Sequence, residues 1–109
     1  MANKTEIKEI NQHHWYLEMD FPCSNRYDQF INWLRKEFYF FQQENGSYLT
    51  IYFPNGHVKI EKKAKEENTF ASEITVESKC RVFGLKMRKK LSAFLDYIES
   101  YHRLSQIKH

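Results

Sequence analysis

A predicted β-hairpin in the middle of the chain, residues 48–60, constrains the fold more than any other feature. Leu49, Ile51 and Phe53 alternate with polar or amphipathic residues, which is the pattern of a strand with one buried face. Asn55-Gly56 follows, and this pair predicts a type I′ turn because such a turn needs positive φ at both central residues. Two strands alone are only marginally stable in water, so other elements must cover their apolar face.

Two further segments, residues 12–21 and 69–76, show the same alternation and predict strands. Trp15 begins the apolar side of the first segment, and Pro22 ends it. The intervening run of residues 61–68, EKKAKEEN, has no hydrophobic period. We interpret this run as a solvated loop or the exposed end of a strand.

Apolar residues spaced by three and four predict two helices. The first helix is expected to run from an N-cap at Ser24 or Asn25 to about Phe40. The second begins either near Lys79 or only after Gly84, and we favour the later start because the glycine interrupts the pattern. The apolar face of this second helix comprises Cys80, Phe83, Met87, Leu91, Phe94, Leu95, Ile98 and Tyr101.

The order of elements, β-α-β-β-β-α, predicts an α+β fold. We expect a two-layer sandwich in which a four-stranded sheet carries both helices on one face. Short turns favour antiparallel neighbours, but a helix between the first two strands also permits a parallel pair, so the strand order stays open. A chain of 109 residues is expected to form one domain, with polar, flexible ends at about 1–11 and 103–109.

The composition indicates a cytoplasmic protein. The N-terminus lacks an apolar leader, and no run approaches the roughly 20 apolar residues of a membrane span. The two cysteines, Cys23 and Cys80, have no C-x-x-C spacing and are interpreted as reduced thiols.

The sequence shows no legible catalytic or metal-binding motif. His13 and His14 are adjacent, and adjacent strand residues point to opposite faces, so they are not expected to share a metal ion. The glycines at 46, 56 and 84 are isolated, which excludes a glycine-rich phosphate loop. We therefore expect no enzymatic activity, no metal and no cofactor.

Positive charge is concentrated at the C-terminal end of the chain. Residues 79–109 carry eight Lys and Arg against two Asp and Glu. The densest cluster is Lys86, Arg88, Lys89 and Lys90, preceded by Arg81. If the last helix begins after Gly84, this cluster lies at the positive end of the helix dipole, which disfavours it. A bound anion would be attracted by the dipole and by the cluster, and would offset this unfavourable interaction. If it begins near Lys79, the cluster only keeps one helix face in water.

The charge asymmetry favours a non-enzymatic binding module for an acidic or phosphate-bearing macromolecule. The predicted binding residues are Lys86, Arg88, Lys89, Lys90 and Arg81, with Trp33 and Tyr52 as aromatic stacking surfaces. The partner is an acidic protein or a nucleic acid, and the exposed sheet face also permits homo-oligomers. Alternatives are a small-molecule or iron-linked accessory protein, and a small phage or mobile-element protein that blocks another protein's binding site.

Three short segments carry a resemblance to a known family: Ser24-Asn25-Arg26-Tyr27, residues 53–60 and Leu95-Asp96-Tyr97-Ile98. They resemble a small bacterial domain of unknown function, the uncharacterised family numbered 2218, sometimes encoded beside siderophore-interacting reductases. The resemblance covers residues 12–102 in element order and implies the fold and an iron-linked role. Members of that family often have a histidine in the middle of the first helix, where this chain has Leu34.

Overall fold

The fold is α+β, with one antiparallel sheet and two helices on one of its faces. The computed structural model describes residues 7–65 and 69–107, with side chains as far as Tyr101. The strands are β1 (Lys8–Asn11), β2 (His14–Phe21), β3 (Gln42–Asn45), β4 (Leu49–Phe53), β5 (Gly56–Ala64) and β6 (Phe70–Ser78), and the helices are α1 (Ser24–Glu37) and α2 (Arg81–Ile107). The sheet order is β1-β2-β6-β5-β4-β3.

The predicted four-stranded sheet is wrong, because the sheet has six strands. The two additional strands, β1 and β3, are short and lie at its edges. β1 falls within the predicted polar end, and β3 lies where the sequence predicts only a connection between helix and hairpin. All four residues of β1 are exposed, and β3 reads QQEN, so neither strand shows apolar alternation. Polar edge strands resist pairing with other chains, and the same polarity hides them from sequence analysis.

The first of the long strands, β2, pairs with the last strand of the chain, β6. β2 pairs antiparallel with β6 over eight residues, from His14 opposite Glu77 to Phe21 opposite Phe70. No parallel pair forms among the described strands, because the chain returns to β2 only after completing the β3–β6 meander. The two long apolar strands, β2 and β6, therefore lie side by side in the interior of the sheet.

The central hairpin forms at the predicted place with a different turn. Phe53 pairs with Gly56, so the central turn residues are Pro54 and Asn55. Asn55 has φ 65°, whereas no described glycine has positive φ. Proline followed by positive φ is the combination of a type II turn, and the predicted type I′ turn is wrong. Gly56 is needed for space instead, because a Cβ there would meet the backbone oxygen of Glu77.

Both helices cover the same apolar face of the sheet. Strand residues alternate between faces, so Trp15, Leu17 and Phe21 point toward the helices. Their rings and chains meet the inner sides of α1 and α2, where Phe30 and Phe94 lie with centroids 6.0 Å apart. The largest fully buried side chains are Trp15, Phe30, Phe38, Leu34, Leu49, Ile51, Ile60, Ile74, Leu91, Ile98, Val58 and Val76.

Helix α1 differs from its predicted limits at both ends. Its N-cap is Cys23, in extended backbone and without a side-chain hydrogen bond, so the expected Ser24 or Asn25 cap is wrong. The helix ends at Glu37 and not near Phe40.

Helix α2 begins at Arg81, so the favoured start after Gly84 is wrong. Gly84 lies buried within the first turn, and its N–H donates to the Cys80 carbonyl at 3.0 Å. A Cβ on Gly84 would lie 2.6 Å from the Trp15 ring, which explains the glycine as a point of close helix–sheet approach. α2 also continues to Ile107 through most of the predicted flexible end. The remainder of that end, residues 108–109, lies outside the described residues, as do residues 1–6 of the other end.

Across the described parts of the chain, neither helix combines the length and the apolar character that a membrane crossing requires.

Replacing Gly84 by valine should destabilise the protein. The new Cβ would lie 2.6 Å from a rigid, fully buried indole ring, and such overpacking costs about 1–3 kcal/mol of unfolding free energy. Gly46→Val is the matched control, because a Cβ at Gly46 meets nothing within 4 Å. Urea denaturation measures both, and equal losses in the two variants would contradict this helix–sheet contact.

Candidate functional site

The basic cluster lies on the outward face of α2, from its second turn onward. Lys86, Lys89 and Lys90 are exposed, whereas the intervening Met87 is buried against the sheet. Since α2 begins at Arg81, this cluster is not at a helix N-terminus, and the predicted conflict with the helix dipole does not arise. Any attraction for an anion must come from the side-chain charges themselves.

Lys90 connects this cluster to the C-terminal end of α1. Its Nζ lies 3.7 Å from Oε2 of Glu37 and 5.2 Å from the centroid of the Phe38 ring. Lys36, which precedes Glu37, is also exposed. We call the set Lys36, Lys86, Lys89 and Lys90 the helical basic surface. An exposed ion pair such as Lys90–Glu37 is worth little, so it leaves these cations available to a partner.

Two exposed aromatic residues follow α1 at the edge of this surface. Tyr39 and Phe40 are 74% and 95% exposed, and their ring centroids are 5.3 Å apart. Sequence analysis missed them because the first helix was expected to run to about Phe40, which places both residues within the helix and not in an exposed loop. The only available signal was the run of aromatic residues at 38–41, which exceeds what one helix face can bury.

The predicted binding residue Arg81 makes contacts within the protein that stabilise the fold. Its guanidinium holds the Glu9 carboxylate with two nitrogen–oxygen distances of 3.2 Å and donates to the Gln12 carbonyl at 3.0 Å. It also lies 5.8 Å from the centroid of the Trp15 ring. The half-buried Arg88 faces the same side, where its charge also lowers the pKa of Glu9. Arg81 therefore holds β1 against α2, and Arg88 adds a favourable charge on the same side.

The two predicted stacking residues lie apart from the lysines and from each other. Trp33 is half-buried between the helices, with its ring 4.9 Å from that of Tyr101. Tyr52 lies on the opposite face of the sheet, where its hydroxyl donates to Glu44 at 2.7 Å. This hydrogen bond raises the pKa of Tyr52 above its ordinary value. The seven predicted residues thus fall in four places: the outward face of α2 for the three lysines, the side near Glu9 for the two arginines, and one separate place each for Trp33 and Tyr52.

The sheet face that carries no helix has the opposite charge balance. Side chains that alternate with the buried ones point outward there. The carboxylates on this open face belong to Glu18, Asp20, Glu44, Glu61, Glu73 and Glu77. The lysines on it are Lys8, Lys59 and Lys63, of which Lys63 is held by Glu73 at 3.0 Å, and Lys65 reaches it to pair with Asp20 at 3.2 Å. The molecule therefore has an acidic open face and a basic helical side.

A polar pocket of about 760 Å³ lies at the end of the sheet, beside the central turn. His14, Glu77 and His57 stand opposite one another on β2, β6 and β5. The carboxylate of Glu77 lies 3.9 Å from Nε2 of His14 and 3.6 Å from Nε2 of His57, too far for direct hydrogen bonds. His13 and Lys79 also line the pocket. Sequence analysis missed this row because strand register brings its members together.

The pocket offers hydrogen-bond donors and one carboxylate, but no recognised catalytic arrangement. His13 Nδ1 lies 2.9 Å from the Ser78 carbonyl, to which it donates. Within residues 7–65 and 69–107, no three His, Cys, Asp or Glu side chains are arranged to hold a metal ion. Cys23 and Cys80 are both free thiols.

Comparison with known proteins adds a fold relationship. No family model and no curated protein matches the sequence. A solved structure of a conserved protein of unknown function from Enterococcus faecalis is similar, with a TM-score of 0.54 and 12% identity. The match covers 87% of this chain and 74% of the other. At this identity the similarity shows the fold alone, and the resemblance to the uncharacterised family stays a prediction.

Replacing Arg81 should raise the pKa of Glu9. The hydrogen bonds from Arg81 are the largest cause of its low pKa, below the ordinary 4.5. A carboxyl with a lowered folded-state pKa adds stability above its ordinary pKa, and this stability is lost as the pH falls through the folded-state pKa. An NMR titration should show Glu9 titrating below 4.5 in the wild type and closer to 4.5 in Arg81→Gln. Equal midpoints would contradict the pairing.

Proposed function

We propose that this protein is a non-enzymatic binding module whose helical basic surface binds an acidic macromolecular partner. The observation that carries the proposal is the exposure of Lys86, Lys89 and Lys90 on the outward face of α2, with Lys90 beside the end of α1, where Lys36 is also exposed. Clustered charges of one sign steer a partner of opposite sign and fix its orientation. The carboxylates of the open face repel the same partner, so it approaches from the helical side.

An acidic protein fits this surface better than a nucleic acid does. Single-stranded nucleic acids need aromatic faces next to the cations, on which successive bases stack. Trp33 is half-buried against Tyr101, and Tyr52 lies among carboxylates on the other face of the sheet. Neither residue supplies a stacking face beside the lysines, and the exposed rings of Tyr39 and Phe40 meet at 75°, so they do not form parallel platforms for successive bases.

The proposed site of action is the cytoplasm. Free cysteines are typical of proteins in reducing compartments, and Cys23 and Cys80 are both free. In such a setting the module acts by docking, which includes the case of a small protein that blocks its partner's own binding site.

The sheet-end pocket supports a second candidate function, the binding of a small polar molecule. The pocket brings together His13, His14, His57, Glu77 and Lys79. These side chains offer donors to an anionic group and one carboxylate to a cationic group. A small-molecule accessory protein would use this pocket and would not need the lysines of α2.

Neutralising two lysines of the helical basic surface should weaken binding to an acidic polymer. We expect Lys89→Gln/Lys90→Gln to bind poly-L-glutamate about tenfold more weakly than wild type at low salt, because two attractive charges are lost. The matched control is Lys59→Gln/Lys63→Gln, which removes two charges from the open face. Fluorescence anisotropy measures both, with single-stranded DNA as a second probe.

Equal losses of affinity in the two double variants would mean that binding depends only on the net charge of the protein, which would contradict the proposed surface. Stronger binding to single-stranded DNA than to poly-L-glutamate would indicate that the partner is a nucleic acid and not an acidic protein.

A small-molecule function is tested separately through His57→Ala. If the second candidate is right, a screen of small anions by NMR should find a ligand that shifts the signals of His14, His57 and Glu77. Binding should be lost in His57→Ala and retained in Lys89→Gln/Lys90→Gln. A ligand that binds His57→Ala as tightly as wild type would rule out this pocket.

A further inference from the structure

We propose that Tyr39 and Phe40 anchor the partner, and that the partner is a protein with an apolar pocket bordered by carboxylates. This inference rests on the proposed function and adds the chemistry of the partner's surface that the two rings recognise. Tyr39 and Phe40 are 74% and 95% exposed, the two highest values among the large hydrophobic residues described. Exposed aromatic rings of this kind are enriched at protein interfaces, where a few of them carry most of the binding energy.

The loop that carries these rings is fixed on both sides. Phe38 is fully buried, and the half-buried Phe41 packs against it with ring centroids 5.8 Å apart. The N–H of Tyr39 donates to the Lys36 carbonyl at 3.2 Å, and that of Phe41 donates to the Phe38 carbonyl at 3.0 Å. The outward position of Tyr39 and Phe40 is therefore imposed by residues on each side.

Gln43 of β3 strengthens this support. Its side-chain amide donates to the carbonyls of Arg35 and Phe38, at 3.0 and 2.8 Å. The first bond satisfies a carbonyl in the last turn of α1, where partners within the helix run out, and the second adds to the bond that the Phe38 carbonyl accepts from Phe41. A loop that is already ordered loses little conformational entropy on binding, so the rings are presented in a preorganised form.

Positive charge lies beside Tyr39 and beside Phe38, the residue that precedes it. Tyr39 shares a surface depression with Arg35 and Lys36, and Phe38 lies beside the ammonium group of Lys90. A partner that accepts the rings would therefore gain most from carboxylates around its apolar pocket. The rings meet edge to face, at an interplanar angle of 75°, which is a favourable arrangement for an aromatic pair and does not offer two parallel faces to nucleic acid bases.

A random peptide library displayed on phage and selected against wild type tests this inference. We expect the selected peptides to combine apolar residues with two or more Asp or Glu. Phe40→Ser should reduce their affinity about tenfold or more, as expected for an anchor residue. Ile10→Ser is the control, because Ile10 is 55% exposed in β1, at the opposite edge of the sheet from β3. It should bind the peptides as wild type does.

The outcomes separate the inference from the proposed function. If acidic peptides bind wild type and Phe40→Ser equally, the proposed anchor is wrong, whereas the proposed basic surface is not contradicted. Peptides whose affinity is unchanged in Lys89→Gln/Lys90→Gln would overturn the proposed function. Failure to select any peptide would overturn the anchor, as would Phe40-dependent binding to vesicles of phosphatidylglycerol. Unchanged melting temperatures in both serine variants show that folding is intact.

Discussion

The contact between Trp15 and Gly84 sets the geometry of the molecule. Trp15 is fully buried on β2, and the space its ring occupies leaves no room for a Cβ at Gly84. α2 can therefore lie close to the sheet only with a glycine at this point. Arg81 adds a second attachment, since it joins the start of α2 to Glu9 of β1 and lies over the Trp15 ring. Once its first turn is fixed, the helical period decides which later side chains face the core and which face water.

That placement gives the molecule two sides of opposite character. Met87, Leu91 and Ile98 turn inward, so Lys86, Lys89 and Lys90 turn outward, and Lys90 reaches the C-terminal end of α1. The same end of α1 carries the exposed aromatic loop, which buried neighbours hold in place. On the open face of the sheet carboxylates outnumber lysines, and neither helix of the described residues covers this face. A surface for an acidic partner therefore arises on the helical side as a consequence of how the core is packed.

Much of the fold could be predicted from the sequence, and the failures have physical reasons. Alternation and helical spacing located β2, the central hairpin, β6 and both helices, because burial imposes a period on those segments. β1 and β3 could not be predicted, since edge strands held by backbone hydrogen bonds need no apolar side chains. Gly84 was interpreted as an interruption of the helix, because the Trp15 ring that requires a glycine there lies 69 positions earlier in the chain. The candidate site was predicted only for the lysines of α2; the aromatic loop and the row of His14, Glu77 and His57 depend on tertiary position.

The position of α2 is tested most directly by NMR spectroscopy on the full chain. If α2 begins at Arg81 and packs on β2, the α-protons of Gly84 should show nuclear Overhauser effects to the Trp15 ring, and residues 81–84 should have helical chemical shifts. Extended shifts over residues 81–84, with no contact between Gly84 and Trp15, would contradict this account. The lysines would then stand at a helix N-terminus, and the two-sided charge arrangement derived from the packing of α2 would be lost.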